Sequence, residues 1–447
     1  MKKAYIFLML ILLFKFIPIN SHSYPLENWR VLFYKIAAEQ GEVAGSPSKM
    51  FWDNMPSVPI FDSTLWLNSA QYHENYWTLE PALSEKISNR KYLSQKNANL
   101  HFDLFSDFKY KNFLVRTVLD VDQENKYNTE YPWHKMRVAA GRIEEAYLQY
   151  SGKSGFIRLG RLNRNWGPFF DRSILLSNNP YSYDAFEWQF NTSFLEFRHL
   201  FTAFPKIYSH IDTDYKIQLN RYFSAHALNF IFGKWASIGI AETVLFTRND
   251  GFPDIQYLNP FSIYTVINTN QEGHANLMLG FHGWVNPFTS KITLKGQVVF
   301  DDIQVDNNDI GDQEPLHWAC DFGLYWVEPL PIKVNHHFVI EYRYFSKWIY
   351  TVDRGNTMNG EKYTYLGKSL GAQDIDGDFF KGVFTLIGKN FWAGSIGLSL
   401  IRRDTNTIQK LWPQDYLKYT KEDPLSKRSE LKTTFEILLM LHGYFKN

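Results

Sequence analysis

The residues best suited to chemistry fall in a few short clusters. In GRLNRNWGP (160–168), Arg161 and Arg164 offer planar guanidinium forks to a sugar acid, and Trp166 offers a stacking face. The same spacing fits a turn whose arginines pair with acids of the same chain, a common structural use of ion pairs. Asp301, Asp302, Asp306, Asp309, Asp312 and Glu314, with Asn307 and Asn308 among them, could hold divalent cations that bridge anionic polysaccharide or lipopolysaccharide. DIDGD (374–378) has the look of half a calcium loop, but Gly377 is misplaced for an EF-hand. For both acidic segments a solvated loop is the better reading. His336 and His337 are adjacent and diverge on a strand, which argues against one metal site. No nucleophile elbow, HExxH helix, phosphate loop or dinucleotide fingerprint occurs in its required context. The expectation is a non-enzyme with neither cofactor nor metal.

Hydrophobic periodicity gives the elements that must carry these residues. From Asn97 onward the period is two. Even positions Ala98, Leu100, Phe102, Leu104, Ser106, Phe108 and Tyr110 oppose Asn99, His101, Asp103, Phe105, Asp107 and Lys109. The same alternation runs through 236–247, 291–301, 317–327, 332–345, 391–402 and 431–445. Many runs reach the roughly 9–11 residues of a tilted membrane strand, against about 5–6 in soluble sheets. Their non-apolar face is rich in Ser, Thr, Gly, Lys and Asp, which suits a wet lumen, and Trp and Tyr gather near run ends as in interfacial girdles. By phase Asp301 points inward, where it could meet an inward Arg. Glu242 shares the apolar phase of Ile238, Ile240, Val244 and Phe246, and a lipid-facing carboxylate is costly. Either Glu242 lies near an interface or a bulge turns it into a lumen salt-bridge network, and the bulge is the expected solution.

The 447 residues divide at three composition changes. Residues 1–23 read as a secretory signal: Lys2 and Lys3, an apolar core from Ile6 to Phe14, and Ser21 and Ser23 around a cleavage point. Residues 24–96 read as a small periplasmic helical segment. Trp29, Leu32, Phe33 and Ile36 fall at helical spacing after Pro25, and Leu79, Leu83 and Ile87 predict a second helix. Residues 97–447 read as an all-β, antiparallel, up-and-down outer-membrane barrel of about 16–18 strands. The last run closes on Tyr444-Phe445, the aromatic-ended strand that barrels present to their assembly machinery. With 47 basic against 46 acidic residues, the charge excludes a nucleic-acid binder, and the lone Cys320 excludes intrachain disulfides and thiol clusters.

The order of motifs resembles the Wzi-type capsule assembly family. The motifs are GRLNRNWGP, ILLSNNP (174–180), AHALNF (225–230), IGIAETVLF (238–246), YLNPF (257–261), HANLMLGFHG (274–283), VVFDDIQVD (298–306), IEYRYFSKWIYT (340–351) and YTYLGKSLG (363–371). Phe169 departs from the Gly usual after Trp-Gly-Pro, and Tyr181, Tyr183 and Phe186 are also unlike the family. The resemblance implies an 18-stranded barrel, a periplasmic helical bundle and a lectin-like role holding capsular or other surface polysaccharide at the cell surface. Outer-membrane lipids and lipopolysaccharide would surround it. The rival readings are a porin-like channel for small solutes, an outer-membrane lipid hydrolase and a soluble secreted β-protein.

Overall fold

The computed structural model describes residues 75–87, 98–128, 131–137, 139–169, 173–212, 215–233, 235–270, 275–287, 291–302, 316–352, 358–372, 375–387, 392–410 and 431–443. The expected leader, the helix opened by Pro25, the acidic residues from Asp306 to Glu314 and the terminal Tyr444-Phe445 lie outside the described residues. The strands are β1 (Asn75–Ile87), β2 (Ala98–Tyr110), β3 (Phe113–Asp122), β4 (Ala140–Gly152), β5 (Gly155–Leu162) and β6 (Tyr183–Asn191). They continue with β7 (Leu195–Asp212), β8 (Tyr215–Phe232), β9 (Ala236–Arg248), β10 (Ala275–Val285), β11 (Ile292–Asp302) and β12 (His317–Val327). The last are β13 (Asn335–Phe345), β14 (Thr364–Tyr365), β15 (Lys368–Ser369), β16 (Gly377–Ile387), β17 (Trp392–Arg403) and β18 (Lys432–Gly443). Short helices α1 (Gln123–Tyr127), α2 (Ile255–Leu258) and α3 (Tyr264–Asn270) lie in connections.

Sixteen of these strands form one antiparallel meander in which each pairs with its neighbours in sequence, while β14 and β15 form a hairpin of their own inside the β13–β16 connection. Among the described residues β1 pairs with β2 and β18 with β17. The alternating runs sit where the period places them: β2 and β12 match their predicted bounds, and β9, β11, β17 and β18 differ by a residue or two. The segment from Leu79 to Ile87 is a correction. It is the second half of β1, paired residue for residue with β2, and not a helix. Leu79, Leu83 and Ile87 recur every four residues, and a four-residue repeat is also a multiple of the strand period, so spacing alone could not separate the two.

Burial is inverted relative to a water-soluble sheet. Ile238, Leu398 and Ile437 are 61%, 62% and 72% exposed, while Glu187, Arg198 and Lys295 are 0%, 1% and 6% exposed. One face is therefore an apolar outer surface and the other a polar inner one, the arrangement expected of a sheet solvated by lipid. The ends differ as well. Links of two or three residues join β2 to β3, β4 to β5, β6 to β7 and β8 to β9 at one end. The opposite end carries the long connections 163–182, 249–274 and 346–376. The β7–β8 hairpin also projects at that end, on strands of 18 residues each.

Candidate functional site

The inner face of β4–β7 holds a buried charge cluster. Glu187 on β6 accepts from Arg198 Nη2 at 2.6 Å and from Arg164 Nε at 3.3 Å, with Arg158 Nη1 at 3.9 Å. Aromatic rings line the same guanidinium groups: Arg158 lies 4.5 Å from the Phe156 ring centre, Arg164 4.7 Å from Tyr183, and Arg198 5.3 Å from Trp166. Arg164 also donates to the carbonyls of Leu162 and Tyr183, both at 3.0 Å. Three cations around one carboxylate are tolerable in a buried site because rings and carbonyls share the charge. A companion pair lies beside it, with Arg116 between Glu145 at 2.5 Å and Asp107 at 3.3 Å.

The structure separates the residues that GRLNRNWGP placed together. Arg164 and Trp166 are each 1% exposed and face inward. Arg161 leaves on the outer face, where it pairs with the exposed Asp184 at 2.6 Å. Strand alternation explains the split, because Arg158 and Leu162 fill the inward phase of β5 and Arg161 takes the other. Asp301 does point inward, at a bulge between Phe300 and Asp302, and its carboxylate accepts the backbone N–H of Tyr350 at 2.6 Å.

That bond belongs to a larger assembly. The described parts of the β5–β6 and β13–β16 connections both fold down against the inner face and meet there. Tyr350 and Tyr363 donate their hydroxyls to the carbonyls of Ile174 and Leu175 at 2.6 and 2.8 Å, and Ser177 Oγ donates to Gly371 O at 2.7 Å. A Cβ on Gly371 would lie 2.6 Å from the Tyr350 hydroxyl, so this crossing needs glycine. Gln297 on β11 accepts from Ser173 Oγ at 2.8 Å and from the Ile174 N–H at 3.0 Å, which pins the first loop to the wall. Ile174, Leu175, Leu176, Ile349, Tyr350 and Leu370 then pack with wall residues Phe223, Leu245, Met278 and Val299 into an apolar core.

At the long-loop end, Tyr181 and Lys368 of this assembly meet the β3–β4 connection and β4 in a ledge of rings and charges. Trp133 packs edge-on against Tyr181 at 4.7 Å and against Tyr131 at 5.4 Å. Lys368 Nζ sits 4.0 Å and the Arg142 guanidinium 5.2 Å from the Tyr181 ring centre. Glu144, ion-paired to Arg142, accepts from Asn163 at 2.7 Å. Nearby on β2 and β3, His101 reaches Asp103 at 2.8 Å, Asp122 at 3.1 Å and Asp120 at 3.8 Å. His101, Asp103 and Asp120 offer donors close enough together for one divalent ion. Sequence reasoning missed Trp133, Tyr181, Lys368, Glu187 and Arg198. The Tyr-Pro-Trp of 131–133, a ring pair in a Pro-marked loop, was the available signal for the ledge. For Glu187, the inward phase of Tyr183 and Ala185 on β6 was enough.

Glu242 requires a second correction. β9 pairs one to one with β8 and β10 across this point, so no bulge turns the side chain inward. Glu242 stays on the outer face and is covered there by the 249–274 connection, 5% exposed. Its carboxylate accepts from the N–H groups of Tyr264 and Thr265 at 2.8 and 3.3 Å, from Thr265 Oγ1 at 2.5 Å, and meets His226 Nε2 at 3.1 Å. Beside it, Ser224 Oγ lies 3.3 Å from His199 Nε2 and 2.8 Å from the Tyr264 hydroxyl. Ser224 and Tyr264 are both fully buried. Outside the strands, burial pushes the pKa of the Tyr264 hydroxyl up, keeping it neutral.

No family model matches the sequence, and no curated protein matches it. Solved structures do resemble the fold. Wzi of Escherichia coli, an outer-membrane protein involved in group 1 capsule assembly and described as a carbohydrate-binding β-barrel, aligns with a TM-score of 0.53 and 12% identity over 86% of this chain and 85% of that one. Looser matches are OmpF of Salmonella typhi (TM-score 0.37, 9% identity, 83% and 98% of the two chains) and OccAB4 of Acinetobacter baumannii (0.39, 11%, 76% and 85%). The fold is that of an outer-membrane β-barrel.

Proposed function

We propose that this protein is a non-enzymatic outer-membrane barrel that binds surface polysaccharide, capsular or other, at its cell-exterior mouth and helps hold or assemble it there. Barrels of this class put short turns in the periplasm and long loops outside, which sets the long-loop end at the cell exterior. The observation that carries the reading is the cluster at that end in which Trp133 of the β3–β4 connection and Arg142 of β4 meet Tyr181 and Lys368 of the two inward-folded loops. Ring faces beside fixed cations suit sugar rings bearing carboxylates. The carbohydrate binding named for Wzi supports the same reading. A channel is the less favoured alternative, because Tyr350, Tyr363, Ile174 and Leu175 occupy the interior where solute would pass. A lipid hydrolase is disfavoured too, since Ser224 lies beneath Tyr264 and Glu242 is engaged by α3.

The test is retention of the host's surface polysaccharide by purified protein in detergent. Trp133→Ala and Lys368→Ala should each weaken retention about tenfold, the equivalent of about 1.4 kcal/mol for a lost stacking face or ion pair. Wild-type protein that retains no glycan, or variants that bind as well as wild type, would overturn the assignment.

A further inference from the structure

The 249–274 connection lies where no lumen loop should, on the outside of the wall. Its described part is tied down at four points: the Tyr222 hydroxyl donates to Gly251 O at 2.6 Å, Arg248 pairs with Asp254, Tyr257 packs on Phe246 at 4.8 Å, and Phe261 stacks on Phe197 at 5.6 Å. Glu242 then caps the start of α3 through both of its oxygens. Tyr222, Val244, Phe246, Tyr257 and Tyr264 form a small core sealed between this flap and the strands.

The height of that core fixes what the flap touches. At a tilt of about 40° a strand residue climbs about 2.5 Å along the membrane normal, so an apolar band of about 25 Å takes about ten residues. On β9 only Ile238 and Ile240 of the outward positions are bare, while Val244 and Phe246 are fully covered. They span about 5 Å of height. β8 shows the same division, with Phe230 and Phe232 bare near the short-turn end and Tyr222 and Ser224 covered above. Strands away from the flap carry bare apolar side chains toward the exterior end as well, at Leu100 on β2 and Phe435 on β18. The upper part of the band is therefore missing from β8 and β9, unless the flap supplies it. Its outward side chains do have that chemistry: Phe252, Ile255 and Phe261 are 77%, 83% and 78% exposed, and Ile263 and Val266 are exposed beside them.

We infer that the flap replaces the strand side chains in the lipid-facing band, so that Ile255, Phe261, Ile263 and Val266 contact the acyl chains of the outer leaflet while Glu242 holds the flap in place. The polar set Ser224, His199, His226 and Glu242 can then occupy a lipid-facing phase because the flap, not lipid, lies over it. This inference stands whether or not the protein binds glycan.

Environment-sensitive fluorophores tested by two quenchers decide it, using the full-length protein in vesicles with Cys320→Ser as background. Labels are placed at Ile255→Cys and Phe261→Cys, with Ile437→Cys as the strand control and His134→Cys as the aqueous control. The expected result is quenching of both flap labels by acyl-chain-brominated lipid to the level of the Ile437 label, with protection from iodide. Iodide quenching without bromine quenching would overturn the inference. So would protection from both quenchers together with cross-linking between copies at Ile255→Cys, which would assign the face to a second copy of the chain. In a Glu242→Ala background the flap labels should lose bromine quenching while the Ile437 label keeps it. Flap labels that remain in the acyl region there would overturn the role given to Glu242.

Discussion

Glu361 makes the interior loop assembly sensitive to pH. It ends the 3₁₀ turn Met358–Glu361, is 2% exposed, and accepts the Thr247 hydroxyl at 2.8 Å. Burial is the largest influence on it and raises its pKa from 4.5 to about 7, against the opposing pull of Thr247, Arg248 and Arg221. Arg221 does little to neutralise it, being turned to the carbonyls of Gly360, Lys362 and Thr364 at 2.6, 3.2 and 2.8 Å. Between pH 4.5 and 7 the folded protein keeps a proton that the unfolded chain has released. Stability therefore falls as pH rises through this window, is greatest below it and levels off above it. A displacement of about 2.5 units corresponds to about 3 kcal/mol lost between pH 4.5 and 8. Glu361→Gln keeps the shape and the hydrogen bond but cannot titrate. Urea unfolding of vesicle-embedded protein, followed by Trp fluorescence, should show the wild type losing about 3 kcal/mol relative to Glu361→Gln over that range. Parallel pH profiles for the two proteins would refute the reasoning.

Other perturbations probe the remaining supports. Glu187→Ala leaves Arg158, Arg164 and Arg198 without their shared carboxylate and should cost about 3–5 kcal/mol, read as a lower urea midpoint. Glu187→Leu should cost no less, since the loss lies in the stranded cations rather than in volume. Tyr350→Phe and Tyr363→Phe each remove one hydroxyl from a buried loop carbonyl and should each lower stability by about 1–3 kcal/mol in the same assay. Replacing 358–372 with a short Gly-Ser linker should produce steady conductance in planar bilayers, where the native chain should give none; steady channels from the native chain would refute the filled interior.

Most of the wall was legible in the sequence because its physics is local. A period of two with one apolar phase fixes both a strand and the side that meets lipid, and β2, β9, β12 and β17 follow it. The inward phase of Asp301 was legible for the same reason. What escaped was set by contacts between distant residues. Arg164 and Trp166 lie past the last residue of β5, so their direction depends on where the loop folds, and the loop folds inward because Gln297, 131 residues downstream of Trp166, holds it. The ledge partners Tyr181 and Lys368 meet only after both loops have turned in. The second half of β1 is not legible as a strand, because a four-residue repeat of apolar side chains satisfies helix and strand alike.

Glu242 shows how an apparent violation of pattern can locate a tertiary feature. A carboxylate in the lipid-facing phase of β9 has two ways to avoid hydrocarbon: the strand can deform, or something can cover it. Deformation was expected because it is local. Yet a bulge shifts the phase of every residue beyond it, and it would have moved Thr243, Leu245 and Thr247 off the inner face. Leu245 belongs to the interior core, and Thr247 holds Glu361. Keeping the register preserves those contacts, so the cost falls on covering Glu242 instead. The residues that cover it, Tyr264 and Thr265, come from the connection that directly follows β9, with α3 starting sixteen residues past Arg248. The same logic applies to Ser224 and His226 on β8, polar groups in an apolar phase that lie under the same flap. Polar residues out of phase on adjacent strands thus mark a lateral cover, whereas a single one would not separate a cover from a bulge.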